Sequence, residues 1–129
     1  MLGTKGIQEW VVTEDKLACN VGSGIVAVFA TPMMIAGIEG TAAASVAEAV
    51  GEGKTTVGIQ MNCSHVAATP CGMKVRFETE VTEVAPNGKV ITFAVKAFDE
   101  AGLIGEGVHQ RAVVDKERFE AKCQEKLGK

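Results

Sequence analysis

The sequence predicts an α+β domain in which a strongly curved antiparallel β-sheet wraps one long central helix. Three observations carry this. One segment, Ile35 to Ala49, repeats apolar residues at helical spacing. After it, apolar and polar residues alternate over four successive segments, the pattern of strands with one buried and one wet face. The length of 129 residues, 47% hydrophobic and 22% charged, makes one compact domain spanning 1–129 and leaves no room for a second. A long helix of small apolar residues is not shielded by a flat one-sided sheet, so the sheet must curl around it.

Taken in order, Ile7 to Val12 reads as a first strand, and a glycine-interrupted connection, Asn20 to Gly24, runs towards Phe29 over what is expected to be a pocket. At Thr31-Pro32 a helix begins, the threonine suiting the N-cap and the proline the first helical position. Ile35, Ile38, Ala42, Val46 and Ala49 form its apolar face, and Gly51 and Gly53 stop it. The glycines inside it, Gly37 and Gly40, imply close approach of neighbouring chain. Val57, Ile59, Met61 and Cys63 are expected to face the helix from the next strand. The following one alternates Met73, Val75, Phe77, Thr79 and Val81 against charged residues. Asn87-Gly88 predicts a type I′ hairpin into Ile91 to Ala97. A turn at Asp99 to Gly102 leads to a last strand, Ile104 to Val114, and the charged segment Lys116 to Lys126 forms a short helix. Strand, long helix, four strands is the hotdog arrangement. Its open sheet edge implies a homodimer or a dimer of dimers.

Composition narrows the function. A formal charge of −3 is no footprint for nucleic acid. MLGTKGIQEW lacks signal-peptide features and no stretch approaches the roughly eighteen apolar residues of a membrane span, so a soluble cytoplasmic protein without membrane partner is expected. Cys19, Cys63, Cys71 and Cys123 form no C-x-x-C pair and the histidines are His65 and His109 alone. Zinc spacing is absent, no metal is expected, and the cysteines read as buried reduced thiols.

The residue out of place is Glu39, whose helical neighbours Ile35, Ala36, Ala42 and Ala43 are all apolar. Such a carboxylate is costly to ionise unless paired, which raises its pKa and suits a general base or nucleophile; pairing at a dimer seam is the alternative. His65, by alternation, faces the helix at a strand end and is a candidate acid, base or orienting group. His109 reads as structural. Thr31 has a sufficient explanation as an N-cap, though its hydroxyl suits catalysis as well. Eight residues of continuous helix separate Thr31 from Glu39, about 12 Å of rise. One site holding both requires an irregular helix start or assembly across a dimer interface. The string Gly22-Ser23-Gly24-Ile25-Val26-Ala27 matches a dinucleotide fingerprint, but Pro32 and the lack of a βαβ unit argue against it. Neither a G-x-S-x-G elbow nor a phosphate loop is present.

Val28-Phe29-Ala30-Thr31, Glu39, His65-Val66-Ala67-Ala68-Thr69-Pro70 and His109-Gln110-Arg111-Ala112-Val113 resemble the hotdog-fold thioesterases of the fluoroacetyl-CoA thioesterase type, over about Ile7 to Lys126. The resemblance implies acyl-CoA thioester hydrolysis without metal or redox cofactor, with Thr31, Glu39 and His65 catalytic and the Gly58 backbone N–H near the thioester carbonyl. The connection before the helix is shorter here. Where fluoroacetyl-specific members carry a phenylalanine-rich lid, this chain has Asn20 to Val26, with Ile25 at a lid phenylalanine position, and no selectivity for a fluorinated acyl group is expected. Arg111 is expected either as a solvated strand cation or as the partner of a CoA phosphate. The rival readings are a hotdog hydratase or dehydratase and a non-catalytic acyl-CoA-binding dimer.

Overall fold

The computed structural model describes residues 1–128. The chain runs through β1 (Lys5–Val11), a 3-10 turn (Glu14–Lys16), α1 (Ala18–Val21), α2 (Thr31–Val50), β2 (Lys54–His65), β3 (Lys74–Val84), β4 (Val90–Asp99), β5 (Gly102–Asp115) and α3 (Lys116–Gln124). The strands form a single antiparallel sheet in the order β1-β3-β4-β5-β2, and α2 touches all five. This is the expected hotdog architecture, with β1 and β2 as its two edges.

The core lies between α2 and the concave face of the sheet. Met34, Ile38, Ala42 and Val46 of the helix are buried against Phe77, Val81, Ile91 and Phe93 of the strands. Close approach is visible at Gly37, where an added Cβ would stand 2.2 Å from Cζ of Phe77. Gly40, by contrast, meets nothing nearer than 3.9 Å and lies exposed, so its presence has no packing cause within the chain. By length and composition α2 is apolar and long enough to cross a membrane, which the sequence reading missed because Glu39 and Glu48 interrupt the run. Its buried face is the core of the domain.

Several local expectations are corrected. The N-cap of α2 is Ala30, not Thr31, with Pro32 still in the first turn. The turn at Asn87-Gly88 is not type I′, since Gly88 alone has a positive φ there; the Gly88 N–H closes onto the Ala85 carbonyl at 2.8 Å. The cysteines are free but not buried: Cys19, Cys71 and Cys123 are exposed and Cys63 is half-buried.

The correction with most consequence is in β2. Its register against β5 shifts between Gly58 and Gln60, so Ile59 is the extra residue of a β-bulge. Alternation therefore changes phase there. Thr56 and Gly58 face inward before the bulge, Met61, Cys63 and His65 after it, and Ile59, expected inside, is 51% exposed.

Candidate active site

Two groups of polar side chains meet α2, one at its N-terminus and one at its middle. At the N-terminus, Thr31 Oγ1 and His65 Nδ1 lie 2.7 Å apart. Backbone hydrogen bonds fix this pair. The Ala30 N–H donates to the Lys16 carbonyl and the Phe29 N–H to the Thr69 carbonyl, each at 2.9 Å, so both flanks of the helix start are tied down. Thr69 is itself wholly buried, its hydroxyl donating to Asp99 Oδ2 at 2.7 Å, which holds the loop that follows His65. Since Ala30 is the cap, the Thr31 hydroxyl is not spent on the helix terminus and is directed to the histidine instead. Burial lowers the His65 pKa, which keeps the ring neutral at pH 7, and its Nε2 is buried without a partner among the described residues. The pair lines a cleft of about 350 Å³ with Gly24, Val26, Phe29 and Val66. Ile25, expected at the substrate, lies on the same loop between Gly24 and Val26 but does not line the cleft; it is 96% exposed.

At the middle of α2, Glu39 meets the groups that β2 and β5 turn inward around the bulge. Arg111 Nη1 lies 3.7 Å from Glu39 Oε2. An added Cβ at Gly58 would fall 2.3 Å from that same oxygen, so the carboxylate occupies the space where any other residue would have a side chain. Arg111 is not the solvated strand cation the alternation left open: it is 7% exposed, with Nε donating to Thr56 Oγ1 at 2.8 Å and Nη2 to the Thr56 carbonyl at 2.9 Å. With those nitrogens committed inside the fold, the guanidinium serves Glu39 and is not presented to a phosphate at the surface. His109, set aside by the sequence reading, is wholly buried beside it, Nε2 lying 3.2 Å from Arg111 Nη1. Alternation puts His109 and Arg111, two apart on a strand, on one face, but only the fold shows that this face meets Glu39.

Glu39 is the odd carboxylate of the helix, as expected, and its compensating cation comes from the sheet. It stays partly open, its side chain 42% exposed, so a substrate has access to it. The helix start is regular, and Thr31 and Glu39 remain eight residues apart on one continuous helix. The structure thus brings Thr31 to His65 and Glu39 to Gly58 and Arg111, without joining the two groups within one chain. Among the described residues no cluster of His, Cys, Asp or Glu is arranged to hold a metal ion.

The model of the fluoroacetyl-CoA-specific thioesterase family matches residues 12–117. The chain belongs to that family. It is a thioester hydrolase. A fluoroacetyl-CoA thioesterase of Streptantibioticus cattleyicolor is 34% identical over 99 residues, which are 77% of this chain and 70% of that protein. A solved fluoroacetyl-CoA thioesterase structure superposes with a TM-score of 0.91 at 29% identity, over 98% of this chain and 96% of the other. A threonine-to-serine mutant solved in complex with acetyl-CoA gives a TM-score of 0.93 at 28% identity, over 99% of each chain. A thioesterase superfamily member of Thermus thermophilus gives 0.87 at 26% identity, over 97% of this chain and 91% of that one.

Proposed function

We propose that this thioesterase hydrolyses acyl-CoA esters with Thr31, Glu39 and His65, in a site completed between two copies of the chain in a cytoplasmic homodimer, and with no cofactor. The observation that carries this is the Glu39 carboxylate, held over Gly58 by a buried arginine yet open to solvent. Glu39 attacks the thioester carbonyl carbon or takes a proton from the water that does. The carbonyl oxygen, gaining charge, is met by the Gly58 backbone N–H. As the C–S bond breaks, the proton lost by the attacking water reaches the CoA thiolate through His65, whose neutral ring first accepts it and then passes it on, and the Thr31 hydroxyl at 2.7 Å orients that ring. The acetyl-CoA complex and the fluoroacetyl-CoA thioesterase among the relatives support a short acyl-CoA substrate. Ile25 leaves the cleft without an aromatic cover, so acetyl and other short acyl groups are accepted alongside fluoroacetyl.

Free-thiol release from acetyl-, fluoroacetyl-, branched and aromatic acyl-CoAs tests the reading. Wild type should release thiol, and Glu39→Gln should lose about a hundredfold or more in kcat, the scale of a positioned acid–base or nucleophilic group. Full activity in Glu39→Gln would remove the central assignment, and strict preference for the fluorinated ester would remove the one for Ile25.

A further inference from the structure

The Nδ1 of His109 lies 2.7 Å from the Gln60 backbone carbonyl oxygen. A carbonyl only accepts, so this nitrogen carries the proton. Nε2 lies 3.2 Å from Arg111 Nη1, and a guanidinium only donates, so this nitrogen presents its lone pair. The two contacts together admit one state of the ring, the neutral Nδ1–H tautomer. A second proton would set an N–H against the guanidinium. The ring is fixed further by Phe93, on which it stacks with centroids 6.0 Å apart and planes at 27°. The bulge supplies the Gln60 carbonyl: with Ile59 as the extra residue, the ladder is interrupted there and the oxygen turns to a side chain.

What the ring holds is the nitrogen that faces Glu39. Thr56 takes Nε and Nη2 of Arg111, and Nη1 is shared between His109 and the carboxylate. All three groups converge on one point, since an added Cβ at Gly58 would lie 2.3 Å from Glu39 Oε2, 3.4 Å from His109 Cε1 and 3.5 Å from Arg111 Nη1.

We propose that His109 is a positioning residue of the thioesterase reaction: as a neutral acceptor anchored on the bulge carbonyl, it aims Arg111 and so holds the Glu39 carboxylate over Gly58. The inference rests on the reading of Glu39 as the reacting carboxylate. Burial, the largest influence, acts in the same direction as the geometry and lowers the pKa of His109, as does Arg111, against upward pulls from the Gln60 carbonyl and Glu39.

Two substitutions separate the two bonds. In His109→Asn the amide nitrogen overlays Nδ1 and keeps the Gln60 bond, but no acceptor reaches Arg111; in His109→Gln the amide oxygen reaches the place of Nε2. Thiol release from acetyl-CoA and melting temperature are measured for both, beside Glu39→Gln. The expected result is a kcat about tenfold lower in His109→Asn with KM within about twofold, and recovery to within about threefold of wild type in His109→Gln, since displacing a reacting group by a fraction of an ångström lowers turnover and not binding. Wild-type kcat in His109→Asn, equal losses in both variants, or a loss confined to KM would overturn the proposal while Glu39→Gln remains inactive. Should His109→Asn melt below the assay temperature, His109→Gln decides alone, and a tenfold loss of kcat there overturns it. Full activity in Glu39→Gln removes the reading and the proposal together.

Discussion

Gly58 has no side chain because Glu39 needs its place. A methyl group there would sit 2.3 Å from the carboxylate oxygen, and Glu39, being at the end of a flexible side chain, would swing away without unfolding the domain. Gly58→Ala is therefore expected to lower kcat by about a hundredfold, the cost of roughly an ångström of misplacement, with a melting temperature close to wild type. A full rate in this variant would show that the carboxylate does no work at that position. The histidines give a second test. His65 and His109 both have pKa values below the ordinary 6.5, chiefly through burial. The unfolded chain therefore binds more protons than the folded one as the pH drops below 6.5, and stability, complete above that value, is lost as the pH falls through the folded-state pKa values. The melting temperature should be level above pH 7 and decline on acidification below pH 6.5. A rise on acidification would contradict the burial of neutral rings.

At the scale of elements, the fold was legible because periodicity is a long-range signal, and single-residue events escaped because they are not. Ile35 to Ala49 and the alternation from Met73 to Val81 each repeat over many residues, and both became the elements expected. The bulge at Ile59 inserts one residue and reverses the phase of β2, which no alternation count reveals; with it were lost the inward turn of Thr56 and the environment of His109. Thr31 and His65 were legible as a pair through the family motif, and Glu39 through its apolar neighbours. The burial of Arg111 was not, because a charged residue on a strand ordinarily faces water and only a partner on another element brings it inside. Gly37 was read correctly as a close contact and gives the element-scale prediction. Its Cβ would meet the ring of Phe77 at 2.2 Å, and Phe77, wholly buried, has no space to retreat. Gly37→Ala should destabilise the domain by about 1–3 kcal/mol, because α2 must lift off the sheet to admit it. Thermal unfolding should report a drop of about 5–10 °C, whereas Gly40→Ala, open at that position, should leave the melting temperature unchanged or raise it.

For the whole molecule the open question in the geometry is how the two polar groups of α2 act on one thioester. Within a chain they are separated by eight residues of regular helix, about 12 Å along its axis. A homodimer resolves the separation if the second copy lies antiparallel to the first, bringing the Thr31–His65 pair of one chain to the Glu39 of the other. The surface next to Glu39 suits such a neighbour. β2 is an unpaired edge of twelve residues with Ile59 exposed on it, and Ala36, Ala44 and Ala47 leave a smooth exposed stripe on α2. In a two-fold dimer each site then takes Thr31 and His65 from one chain and Glu39 from its partner. Co-expressing Thr31→Ala with Glu39→Gln, each expected to lose activity when it pairs only with itself, makes the arrangement measurable. A mixed dimer has one site with both substitutions and one with neither. With half the dimers mixed, total activity should return to about a quarter of wild type. If instead each site draws all three residues from one chain, every site in the mixture carries a substitution and no activity returns.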